Sequence, residues 1–69
     1  MNIDYGALLN SILSSIDESL HDNYDWDVVL KSAKPCWDGT AIEVKSKDFT
    51  MVFDCISYEL KQYDGSDLL

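Results

Sequence analysis

Arginine is absent from the chain and histidine occurs once, at His21, while five lysines stand against thirteen acidic residues for a net charge of −8. Nucleic-acid binding sets Lys and Arg against phosphate, and five dispersed lysines do not make such a surface. Nucleic acid is therefore excluded as a direct partner. Only two cysteines occur, Cys36 and Cys55. Without a second pair or clustered histidines they fall short of a zinc site. The three glycines, Gly6, Gly39 and Gly65, are isolated and build no phosphate loop or dinucleotide turn. No run approaches the ~18 apolar residues of a membrane span, and the opening Met1 to Tyr5 has neither the basic nor the apolar region of a secretory signal. The expectation is a cytoplasmic protein with no membrane contact and two free thiols, because structural disulfides are rare among reducing thiols.

What is present points to a folded chain. Apolar residues make up 46% of the sequence, with eight aromatics among them, a globular rather than a disordered composition. Its 69 residues allow one small domain, expected over 1–63, followed by a flexible acidic tail at 64–69. A core of this length supplies roughly 3 to 5 kcal/mol, so a homodimer or another partner is compatible with the size.

Tyr5, Leu8, Leu9, Ile12, Leu13, Ile16 and Leu20 follow the i, i+3, i+4 spacing of an amphipathic helix. Asp4 is a candidate N-cap and Asn23 a candidate stop, which predicts a helix from about Asp4 to His21. The period then shortens to two. Tyr24, Trp26, Val28 and Leu30 alternate with charged residues and predict a half-buried strand. Ala33 to Gly39, with Pro35 and Asp38-Gly39, reads as a connection. Ile42 and Val44 predict a second strand, and Phe49, Met51, Phe53 and Cys55 a third. Residues 54–63 fit two patterns: an alternation continued past a β-bulge, and a helical face begun at Asp54. The β-branched and aromatic content favours the strand. The fold class expected is α+β, an N-terminal amphipathic helix packed on a three-stranded antiparallel sheet (αβββ), with a short C-terminal helix as the variant. Leu9, Ile12, Ile16, Leu20, Trp26, Val28, Leu30, Ile42, Val44, Met51 and Phe53 form its inner layer.

Catalytic chemistry finds little support. His21 sits at the predicted helix end, where a histidine complements the dipole, with no Ser or Cys motif beside it. Cys36 has only Lys34 nearby in sequence to activate it. Asp22, Asp25 and Asp27 miss the offsets of an EF-hand loop, whose third and fifth positions here are Tyr24 and Trp26. A paired-carboxylate hydrolase needs a pocket holding its acids at fixed separation, and a chain this short has little volume left once its core is filled. The reading is a non-enzyme without metal or cofactor.

The distribution of charge is the informative feature. Residues 1–30 hold six acids and no lysine, a charge of −6, whereas residues 31–69 hold seven acids and all five lysines, a charge of −2. Asp17, Glu18 and Asp22 on the helix, with Asp25 and Asp27 on one face of the first strand, are expected to form an acidic ridge. Carboxylates spaced by one helical turn or two strand residues stand about 6 to 7 Å apart, comparable with successive phosphates, so a basic nucleic-acid groove is a suitable receptor. Trp37, in the Pro-containing loop, is a candidate anchor, since one tryptophan desolvates a large area.

In size, acidity and lack of catalytic residues the chain resembles, as a class, the small inhibitors of bacteriophages and mobile elements, among them DNA-mimicking anti-restriction proteins, anti-CRISPR proteins and glycosylase inhibitors. No segment aligns and no site transfers. The function expected is a non-catalytic acidic inhibitor that mimics nucleic acid on the basic surface of a nucleic-acid-processing enzyme or defence complex, using Asp17, Glu18, Asp22, Asp25, Asp27 and Trp37. Two alternatives stand beside it: an accessory or immunity-type protein bound through an apolar sheet face or strand edge, and a thiol- or metal-dependent activity of Cys36 and Cys55.

Overall fold

The Asp4 carboxylate accepts a hydrogen bond from the Ala7 N–H at 3.1 Å, satisfying an amide that the first helical turn leaves open. In the computed structural model, which describes residues 2–65, this cap starts helix α1, Tyr5–Ser15. Leu8 and Ile12 are fully buried on its inner face. The helix ends before His21 for a local reason. The Ser14 and Ser15 hydroxyls donate to the Asn10 and Ser11 carbonyls at 2.8 and 2.7 Å, a back-bonding that weakens and bends helices. Ile16 then turns extended (φ −122°, ψ 160°) and keeps its side chain in the core. Asp17 caps a separate 3-10 helix, Glu18–Asn23.

Residues 24–30 are not a strand. Asp25 accepts from the Asp27 and Val28 N–H groups and starts a second helix, α2, Trp26–Lys31. Val29, off the alternating phase, is 3% exposed, whereas Val28, expected inside, is 61% exposed. In seven residues Trp26, Val29 and Leu30 satisfy i, i+3, i+4 as well as Trp26, Val28 and Leu30 satisfy alternation. The Asp25 cap and the bond from Trp26 Nε1 to the His21 carbonyl at 2.7 Å accompany the helical solution.

Four strands follow: β1, Lys34–Cys36; β2, Ala41–Lys45; β3, Phe49–Asp54; and β4, Leu60–Gly65. They pair antiparallel in the order β1-β2-β3-β4, so the α+β class holds with one strand more than expected. β1 occupies the stretch read as a connection. It is short and lies at the sheet edge, where a proline is tolerated because its missing N–H need not enter the ladder. Residues 54–63 are neither one long strand nor a helix. β3 ends at Asp54, whose carboxylate accepts from the Ile56 and Ser57 N–H groups at 2.9 and 2.8 Å. The chain then reverses through Tyr58, at φ 57°, into β4. A bulge does occur, between Val52 and Phe53; it pairs Val52 with Gln62 and Phe53 with Leu60, leaving Lys61 as the extra residue. Asp64 and Gly65 belong to β4, and the remainder of the expected tail, 66–69, lies outside the described residues.

Ile42, Val44, Met51, Phe53 and Phe49 share the sheet face that meets Leu8, Ile12, Ile16 and Val29. Trp26, Leu20 and Leu30 pack against this core partly buried. On the opposite sheet face Glu43 takes Lys34 at 3.4 Å and Lys45 at 3.8 Å, beside the buried Ala41 and Val52.

Candidate functional site

The acidic segment is built from helix starts. Asp17 and Asp25 are N-caps, and Glu18 and Asp27 occupy first turns, where negative charge complements the positive end of a helix. Asp17 accepts from the Ser19 N–H at 3.0 Å; this bond, first among its causes, holds its carboxyl below the usual value. Capping thus explains four of the five acids. Asp22 is the exception, because it lies toward the C-terminal end of the 3-10 helix, where negative charge is disfavoured. No hydrogen bond or ion pair engages it among the described residues.

The spatial arrangement departs from a single ridge. A 3-10 helix repeats every three residues, so Glu18 stacks over His21, and Glu18 and Asp22 are not the one-turn pair an α-helix would make. Asp25 and Asp27 do not share a strand face. They flank α2: Asp25 lines a shallow hollow of about 280 Å³ with Tyr24, Val28, Lys45 and Lys47, and Asp27 lines another of about 290 Å³ with Tyr5, Leu30 and Lys31. All five carboxylates are nevertheless exposed within eleven residues, and none is in an ion pair among the described residues. The ion pairs that do form hold Lys34 and Lys45 on Glu43, and Lys61 on Glu59 at 3.7 Å.

Two side chains fix this segment through partners that the sequence did not indicate. His21 Nε2 donates to the Leu13 carbonyl at 2.8 Å, closing an acceptor that the end of α1 leaves open. Tyr24 bonds Asp48 Oδ2 at 2.8 Å through its hydroxyl, and its ring meets Trp26 and Phe49 at 5.2 and 5.5 Å. It thereby ties the acidic segment to the turn between β2 and β3. Partial burial, followed by the Asp48 bond and charge, pushes the Tyr24 phenol from its ordinary 10.0 up to about 12. A raised pKa favours the protonated, folded form, so its stabilising effect is complete below pH 10 and lost as pH approaches 12. Tyr24→Phe is expected to cost about 1 kcal/mol at neutral pH and to flatten the fall of melting temperature over that window. Parallel alkaline curves for parent and variant would contradict the assignment.

Trp37 is placed elsewhere. It begins the loop between β1 and β2, 49% exposed, whereas Asp25 neighbours Lys45, Ser46 and Lys47 at the β2–β3 turn. In an antiparallel meander those two connections lie at opposite ends, separated here by the five residues of β2, about 16 Å. The thiols are unbridged and half-buried. Burial, then the Glu43 charge, raises the Cys36 thiol, the wrong direction for a nucleophile. Among the described residues no cluster of three His, Cys, Asp or Glu side chains could hold a metal, and no helix is long and apolar enough to cross a membrane. No protein-family model matches the chain, and neither the curated proteins nor the solved structures compared with it give a match.

Proposed function

We propose that the chain is a non-catalytic acidic inhibitor acting in the cytoplasm, which binds the basic surface of a nucleic-acid-processing enzyme or defence complex through Asp17, Glu18, Asp22, Asp25 and Asp27, in the manner of phage anti-restriction or anti-CRISPR proteins. The observation that carries this reading is the density of charge: five exposed carboxylates within eleven residues, none of them in an ion pair among the described residues, while Lys34 and Lys45 pair with Glu43 and Lys61 with Glu59. Asp22 adds weight, since its charge opposes the local helix polarity. Edge-strand pairing has weaker support, because Pro35 and the three-residue length blunt β1 and the bulge at Lys61 interrupts β4, both devices that discourage strand addition.

The test is capture of partners by the tagged protein at ~100 and ~500 mM salt, which brackets strong and weak charge screening. A nucleic-acid-binding protein retained only at low salt, and released by a duplex oligonucleotide that competes for its groove, is the expected result. A partner retained equally at both concentrations and indifferent to the oligonucleotide would refute nucleic-acid mimicry.

A further inference from the structure

The loops at the other end of the sheet carry the large apolar side chains that, among the described residues, face solvent outside the helices: Trp37 is 49% exposed and Ile56 is 86% exposed. These loops are joined, since the Cys55 N–H donates to the Thr40 carbonyl at 3.1 Å. Each is held in shape by its own bonds. Thr40 Oγ1 donates to the Trp37 carbonyl at 2.7 Å, and the Asp54 carboxylate receives the Ile56 and Ser57 N–H groups, which lower its pKa. The Trp37 backbone lies at φ 53°, ahead of Asp38 at 57° and Gly39 at 84°. Left-handed backbone suits Gly or Asn and disfavours a bulky side chain, so a marginal domain keeps an indole where a smaller residue would fit the backbone better. An isoleucine in a solvated turn likewise gains nothing from folding.

We propose that Trp37 and Ile56 form a second contact end, independent of the acidic segment, that docks in an apolar socket rimmed by cations on a protein partner. Charge selects this occupant. Asp38, Asp54 and Glu59 lie on the same two loops, and Asp4 joins them because its N–H donates to the Tyr58 hydroxyl at 2.9 Å. Of these four acids only Glu59 forms an ion pair among the described residues, with Lys61. A second copy of this chain would bring the same carboxylates against them, and an anionic lipid surface would repel them. A socket flanked by Lys or Arg matches both the apolar pair and its acidic border. The Asp25 side of the acidic segment lies about one strand length away, whereas Asp27 shares a hollow with Tyr5, next to Asp4; the tip differs from the segment in setting an apolar pair among its carboxylates.

The experiment places the photo-crosslinker p-benzoylphenylalanine at position 37, at position 56 and, as a control, at the exposed Gln62 of β4 in the full chain, in extract of its native host. The protein captured is purified and titrated calorimetrically. Both tip positions are expected to capture one and the same protein, Gln62 is not, and Ile56→Ser is expected to weaken its binding at least tenfold. The melting temperature of Ile56→Ser should match the parent, because that side chain is nearly all solvated. Trp37→Asn is expected to weaken binding comparably while melting within a few degrees of the parent, a combination that a packing role for the indole does not give. Capture of only another copy of this chain, capture no greater than at Gln62, affinity unchanged in Ile56→Ser, or binding to phosphatidylcholine vesicles in place of a protein would each overturn the proposal.

Discussion

Phe53→Ala leaves the chain unfolded at 25 °C. Phe53 is the largest of the fully buried side chains, central in β3, paired with Ile42 on one side and Leu60 on the other. Truncating a buried phenylalanine costs roughly 3 to 5 kcal/mol, part from lost transfer free energy and part from the cavity left behind. A core of this size supplies about the same amount in total. The two figures cancel, so the cooperative melt and the dispersed amide spectrum of the parent should both disappear. Val28→Ala is the control: the side chain is 61% exposed, and surface substitutions of this kind stay within about 0.5 kcal/mol. A Phe53→Ala protein that still melted cooperatively within about 10 °C of the parent, about 2 kcal/mol or less for a domain of this length, would show that the core does not centre on that residue.

Replacing Asp17, Asp22, Asp25 and Asp27 by Asn and Glu18 by Gln slows association with a captured basic partner at ~100 mM salt by 10- to 10³-fold, the range over which steering by charge acts. The substitution takes the net charge from −8 to −3, as five unit charges are removed. Asparagine is chosen because it caps helices about as well as aspartate, so the bonds to Ser19, Asp27 and Val28 survive and the fold is preserved. Lysine at position 25 would confound lost charge with a lost cap. Stopped-flow association read against salt separates the two effects: the parent rate should fall steeply toward ~500 mM while the amide variant stays flat, the curves converging as screening removes the difference. Equal rates for the two proteins at ~100 mM would reduce the acids to helix caps and solubility.

Alkaline unfolding at Tyr24 and the Asp25 side of the acidic segment concern one end of the sheet, and the Trp37–Ile56 tip the other. This division was not legible in the sequence. Acidity concentrated in residues 1–30 could be read from the order of charges alone, and so could Trp37 as a loop residue. Their separation required the pairing order of the strands, which is set by contacts between residues far apart in the chain.

The chain by itself determined the elements whose period is long or whose cap is unambiguous. The spacing of Tyr5, Leu8, Leu9, Ile12 and Leu13 with the Asp4 cap specifies α1, and the alternations at Ile42–Val44 and Phe49–Phe53 specify two strands, because several side chains must reach one face and only one backbone period puts them there. The α+β class follows from those three elements. Tertiary structure decided the rest. Over Trp26–Lys31 helix and strand periods agree about the polar positions, and burial of Val29 in place of Val28 selected the helix. At Ser14 to Asp17 the amphipathic pattern runs on while serine back-bonding and a second cap break the hydrogen-bond ladder. Lys34–Cys36 has no strand signal of its own and is extended because β2 offers an edge, and residues 54–65 reverse because the Asp54 carboxylate closes a turn that lets Leu60 and Tyr63 return to the core. Short segments carry too few side chains to fix their own backbone, so the partner against which they pack fixes it for them.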